Sequence, residues 1–76
     1  MTAEEIRVQI ERALPGSRVD VRDTTGTGDH FEAVVVADQF AGKSVVEQHR
    51  LVYSILGSAM AGPIHALALR TSGPRP

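Results

Sequence analysis

Apolar residues at Ile6, Ile10, Ala13 and Leu14 recur at the spacing of one helix face, and Thr2 followed three residues later by Glu5 supplies a capping box ahead of them. A first amphipathic helix is predicted, stopped by Pro15-Gly16, where the next backbone donor is missing. The period then drops to two. "SRVDVRD" alternates polar and apolar residues, as an outer strand does, and "HFEAVVVAD" is valine-rich with apolar residues on both sides, as a more central strand is. The Gly-rich "TTGTGD" between them predicts a hairpin with a loose connection. Ser44 and Glu47 form a second capping box, and Val45, Val52, Leu56 and Ala59, widened by Leu51 and Ile55, predict a second helix reaching about Met60. Gly62-Pro63 closes it, "IHALALR" supplies a third strand, and "TSGPRP" reads as a frayed tail.

The order helix, strand, strand, helix, strand predicts an α+β, two-layer fold. A helix joins the last two strands, so they can lie parallel, giving a mixed three-stranded sheet with both helices on one face. One domain is expected over residues 1–71, with residues 72–76 as a flexible tail. Seventy-six residues bury only about 60% of the surface an unfolded chain exposes, which argues against a deep enclosed active site.

Composition removes several functions. A net charge of −1 gives no overall positive field to draw in a phosphate backbone. Cysteine is absent, so disulfides, thiolate metal sites and thiol catalysis are closed to the chain acting alone. An acidic "TAEE" opening and the lack of a membrane-length apolar run give neither a signal peptide nor a transmembrane helix, and a cytoplasmic protein is expected.

Local chemistry is sparse. "ADQFAGKS" places Gly-Lys-Ser at a helix start as a phosphate-binding loop does, but Ala37 stands where the first glycine of that motif belongs, and Phe40 occupies the loop, so Ser44 reads as a plain helix cap. Asp29 and His30 are sequence neighbours, not an oriented acid–base pair, and no catalytic set emerges. His49, four residues after Val45 and three before Val52, is read as half-buried and bonded to backbone. His65 shares a strand side with Leu67 and Leu69, which suits a core-edge histidine, yet it opens the strand, where a partner can reach it. His30 stands where the hairpin loop enters the second strand. Lys43 and Arg50 at the start of the second helix form a small basic surface, partly offset by Glu47.

"FAGKSVVEQHRLVYSIL" followed by "IHALAL", with "GDHFEAVVVAD" in front, resembles the signature of the BolA family, and the likeness covers most of residues 1–71. The resemblance implies a fold similar to class II KH domains in the same element order. It also implies a non-enzymatic partner of a monothiol glutaredoxin with a Cys-Gly-Phe-Ser active site, the two sharing a [2Fe-2S] cluster that the isolated chain does not bind. The glutaredoxin and its glutathione would supply thiolates, and this chain would supply His65 and His30, which match the family's ligand positions. Imidazole can replace thiolate on one iron of such a cluster. The family name also implies a DNA-binding transcription regulator as the alternative, with Phe40, Gly42, Lys43, His49 and Arg50 as the partner or nucleic-acid surface. Gln48 stands where relatives often have arginine, and no Gly-x-x-Gly occurs, so the RNA-gripping loop of true KH domains is missing. Small size and an open sheet edge add weak self-association as a third expectation.

Overall fold

The computed structural model describes residues 1–61 and 66–73. Thr2 caps helix α1 (Ala3–Ala13): its hydroxyl accepts the Glu5 amide at 3.1 Å and the Glu5 carboxylate accepts the Thr2 amide at 2.9 Å, satisfying two of the donors a helix start leaves open. Strand β1 (Arg18–Asp23) pairs antiparallel with β2 (His30–Val36), and β2 pairs parallel with β3 (Ala66–Ser72). Helix α2 (Val45–Leu56) lies between β2 and β3 in the chain and carries the Ser44–Glu47 capping box. The predicted αββαβ order and mixed sheet are what the structure has.

The sheet order β1-β2-β3 makes β2 the central strand. Its period of two sends Phe31, Ala33 and Val35 into the core and leaves Glu32 and Val34 exposed on the other face. Ile6 and Ile10 of α1, Val52 and Leu56 of α2, Val19 of β1 and Phe40 complete the core. Both helices therefore cover one sheet face. Each of these large side chains contributes about 1.5–3 kcal/mol through burial.

Several details differ from the sequence expectation. α2 stops at Leu56 rather than near Met60, because Gly57 takes φ +53°, a conformation that continues no right-handed helix, and the chain passes into a 3-10 turn over Gly57–Ala61. Val45, placed by spacing on the apolar stripe, is 59% exposed: as the first helical residue its side chain tilts toward the helix start and away from the core. His49 is half-buried as expected, and the buried polar residue of that turn is Gln48. Its Nε2 donates to the Lys43 carbonyl at 2.9 Å and its Oε1 accepts the Thr71 hydroxyl at 2.7 Å, whereas His49 meets Tyr53 edge-on. Finally, Thr71 and Ser72 belong to β3, not to a tail: they pair with Val35 and Val36, and the Ser72 carbonyl accepts the Ala37 amide at 3.1 Å.

Candidate functional site

His30 is the first residue of β2, and its register partner across the parallel ladder is Ala66, the first residue of β3. The Ala66 amide donates to the Asp29 carbonyl at 3.1 Å, which fixes the two strand entrances side by side. His65, the other expected ligand, directly precedes Ala66 in the sequence and lies outside the described residues.

The hairpin loop is organised rather than loose. One oxygen of the Asp23 carboxylate accepts the Thr25 and Gly26 amides, at 3.2 and 2.8 Å, and the other accepts the Gly28 amide at 2.9 Å. Gly26 and Gly28 take φ +75° and +77°, the left-handed turns that bring these amides onto one acceptor, and glycine adopts them without the Cβ penalty. The Thr27 hydroxyl then donates to the Asp29 carboxylate, whose Oδ1 lies 3.0 Å from His30 Nδ1. The expectation that Asp29 and His30 are mere sequence neighbours is thus corrected: the loop turns the carboxylate onto the ring. A carboxylate at Nδ1 favours the tautomer protonated there, an arrangement that commonly orients metal-binding histidines. The signal for it in sequence was Asp23, six residues ahead of Asp29 and placed to gather the Gly-rich loop.

The donor chemistry at His30 fits a borderline metal centre reached from outside, since its side chain is 44% exposed. Among the described residues no group of three or more histidine, aspartate or glutamate side chains gathers around a common point.

The second candidate surface is the start of α2. Gly42, at φ +78°, turns the chain so that the Lys43 amide donates to the Phe40 carbonyl at 3.0 Å, and Lys43 and Arg50 are exposed. The Ser44 amide, with its side chain, holds the Glu47 carboxyl below the usual range, and the nearby Lys43 and Arg50 add to this. Glu47 therefore stays ionised beside the two cations. Phe40, expected among the contact residues, is 1% exposed and anchors the loop from inside the core, so it presents no binding surface. His49 is half-buried against Tyr53. No helix among the described residues is long and apolar enough to cross a membrane.

The chain belongs to the BolA family: the profile of BolA-like proteins matches residues 2–75. It is 41% identical to the DNA-binding transcriptional regulator BolA of Escherichia coli (strain K12), with 93% of this chain and 74% of that protein covered. It is also 36% identical to BolA-like protein 1 of Mus musculus over 91% of this chain, and spans 56% of that relative's length. A bolA protein homologue from Coxiella burnetii has the same fold, with a TM-score of 0.80 at 45% identity, covering 97% of this chain and 92% of the homologue.

Proposed function

We propose that this chain is a non-enzymatic BolA-like partner of a monothiol glutaredoxin, lending His30 and His65 to a [2Fe-2S] cluster used in iron-sulfur assembly, transfer or sensing. The observation that carries the reading is the pairing of His30 with Ala66, which sets one candidate imidazole next to the strand entrance that follows the other in sequence. A chain without cysteine requires a partner to bring the thiolates, here the glutaredoxin and its glutathione. When bound, the cluster supplies one-electron redox chemistry and exchangeable iron. The protein's own groups do the positioning: Asp23 holds the loop, Asp29 holds the His30 ring, and the Ala66–Asp29 backbone bond keeps the two strand entrances together. Replacing one ligand set by imidazole leaves that iron's bonds easier to protonate and exchange, which suits transfer or sensing.

Anaerobic co-expression with a monothiol glutaredoxin tests this. The visible spectrum of the heterodimer should differ from that of the glutaredoxin homodimer, and His65→Ala or His30→Ala should remove the difference without unfolding the chain. A spectrum indifferent to both variants refutes the assignment.

A second reading rests on the Escherichia coli relative's description as DNA-binding and on the exposed Lys43 and Arg50 at the α2 start. Phosphate contacts by these two cations would give an affinity that falls with salt at a log–log slope near −2. Submicromolar binding with no salt slope, or none at low salt, excludes it.

A further inference from the structure

β2 occupies only one side of β3. The Ala66 amide bonds to the Asp29 carbonyl and the Ser72 carbonyl accepts the Ala37 amide, so the even-numbered residues of β3 are those that bond to β2 in the parallel ladder. The odd-numbered Leu67, Leu69 and Thr71 then turn their N–H and C=O groups to the outer edge, and among the described residues no strand lies beyond it. Sheet edges are ordinarily blunted by charges, proline or bulges. β1 follows this rule with Arg18, Asp20, Arg22 and Asp23, whereas β3 carries Arg70 as its single charge between Ala66 and Ser72.

We propose that this edge pairs with β3 of a second copy of the chain, antiparallel about a two-fold axis through Leu69, joining the two sheets into one. The register is self-complementary. Leu69 meets Leu69 as a hydrogen-bonded pair and Leu67 meets Thr71 on either side, so the outward amides and carbonyls of each edge satisfy those of the other. On the open face Arg70 falls opposite Ala68 of the second copy, whose neighbour on β2 is Glu32. The small Ala68 leaves the guanidinium room to reach that carboxylate, and symmetry makes the contact twice. Glu32 already accepts Arg22 at 2.7 Å, while Arg70 has no acidic partner among the described residues, so the pair supplies what Arg70 lacks. A slip of two residues in either direction removes Arg70 from Glu32, which selects this register.

The helix layer points to the same edge. Val45, Val46 and Tyr53 of α2 are exposed by 59%, 59% and 38%. Val46 and Tyr53 lie on the flank of α2 opposite the Leu51–Ile55 side, where the Gln9 side chain of α1 bonds to the Ile55 carbonyl. Two sheets joined through β3 bring the α2 helices side by side and cover this flank.

Analytical ultracentrifugation of the chain alone tests the proposal, independently of any glutaredoxin and hence of the functional reading above. Wild type should show a concentration-dependent dimer. Arg70→Glu should weaken it at least tenfold, the double variant Arg70→Glu with Glu32→Arg should recover most of the loss, and Asp20→Lys on the β1 edge should leave it unchanged, with circular dichroism confirming that each variant folds. Leu69→Cys should oxidise to a covalent dimer, because Cα atoms of a hydrogen-bonded antiparallel pair lie about 5.5 Å apart, within disulfide reach. A chain monomeric to millimolar concentration overturns the proposal and makes an extended peptide the better occupant of the edge. A dimer indifferent to Arg70→Glu, or as sensitive to Asp20→Lys, also overturns it.

Discussion

Gln48→Met is the sharpest test of how the basic end of α2 is held. The Gln48 side chain is 8% exposed and uses both ends internally, Nε2 on the Lys43 carbonyl and Oε1 on the Thr71 hydroxyl. It ties the turn before α2 to the last residues of β3. Methionine keeps most of the volume and removes both polar atoms, so packing changes little. Each lost hydrogen bond costs about 1 kcal/mol net, and leaving the half-buried Thr71 hydroxyl without its acceptor adds about 1 kcal/mol more. The expected destabilisation is about 2–3 kcal/mol, a large share of the roughly 4–11 kcal/mol available to a domain of this size. Urea unfolding should show the midpoint moving with the slope unchanged, and the melting temperature should fall by about 8–20 °C. A double-mutant cycle with Thr71→Val should give a coupling of about 1 kcal/mol. Additivity of the two variants to within about 0.3 kcal/mol would refute the claim that they act through one bond.

Phe40→Ala should cost about 3–5 kcal/mol in a denaturation curve, because Phe40 is a core anchor; a change in partner binding at unchanged stability would contradict that placement. The Glu5 and Glu47 carboxyls are held below their ordinary values, first by the backbone amides of Thr2 and Ser44 and then by those residues' side chains. Their stabilisation is complete above the unfolded carboxylate value of about 4.3 and is lost as pH falls below it, so acid unfolding of Glu47→Gln should be less steep there than that of wild type. Gly57→Ala forces a side chain into φ +53° and should cost about 1–3 kcal/mol by thermal melting; no loss would mean that the α2 terminus adjusts freely.

Much of the fold was legible because its signals are local. The two capping boxes, Thr2–Glu5 and Ser44–Glu47, involve partners three residues apart, and the strand periods follow from side-chain alternation alone. What escaped depends on tertiary neighbours. Helical spacing placed Val45 on the buried stripe and passed over Gln48, because which polar residue of the first turn faces β3 depends on Thr71, 23 residues from Gln48 in sequence. The end of α2 is masked in the sequence because the apolar period runs on through Ala59, while Gly57, which breaks the helix, looks unremarkable in a small-residue stretch. Thr71 and Ser72 read as tail since polar residues before Gly-Pro suggest a loop, yet β2 runs far enough to pair with them. At the site, His30 was visible as a residue type at a loop exit, but its orientation by Asp29 needed the turns at Gly26 and Gly28 that gather the loop on Asp23.

Pulsed EPR on the reduced heterodimer with a monothiol glutaredoxin, using this chain labelled with ¹⁵N-histidine and an unlabelled partner, tests the central claim most directly. Strong couplings from directly bound ¹⁵N, reduced by His30→Ala and by His65→Ala, are the result expected of imidazole ligands. A reduced cluster whose spectrum shows no ¹⁵N coupling from this chain would contradict the account and leave the basic start of α2 as the site to pursue.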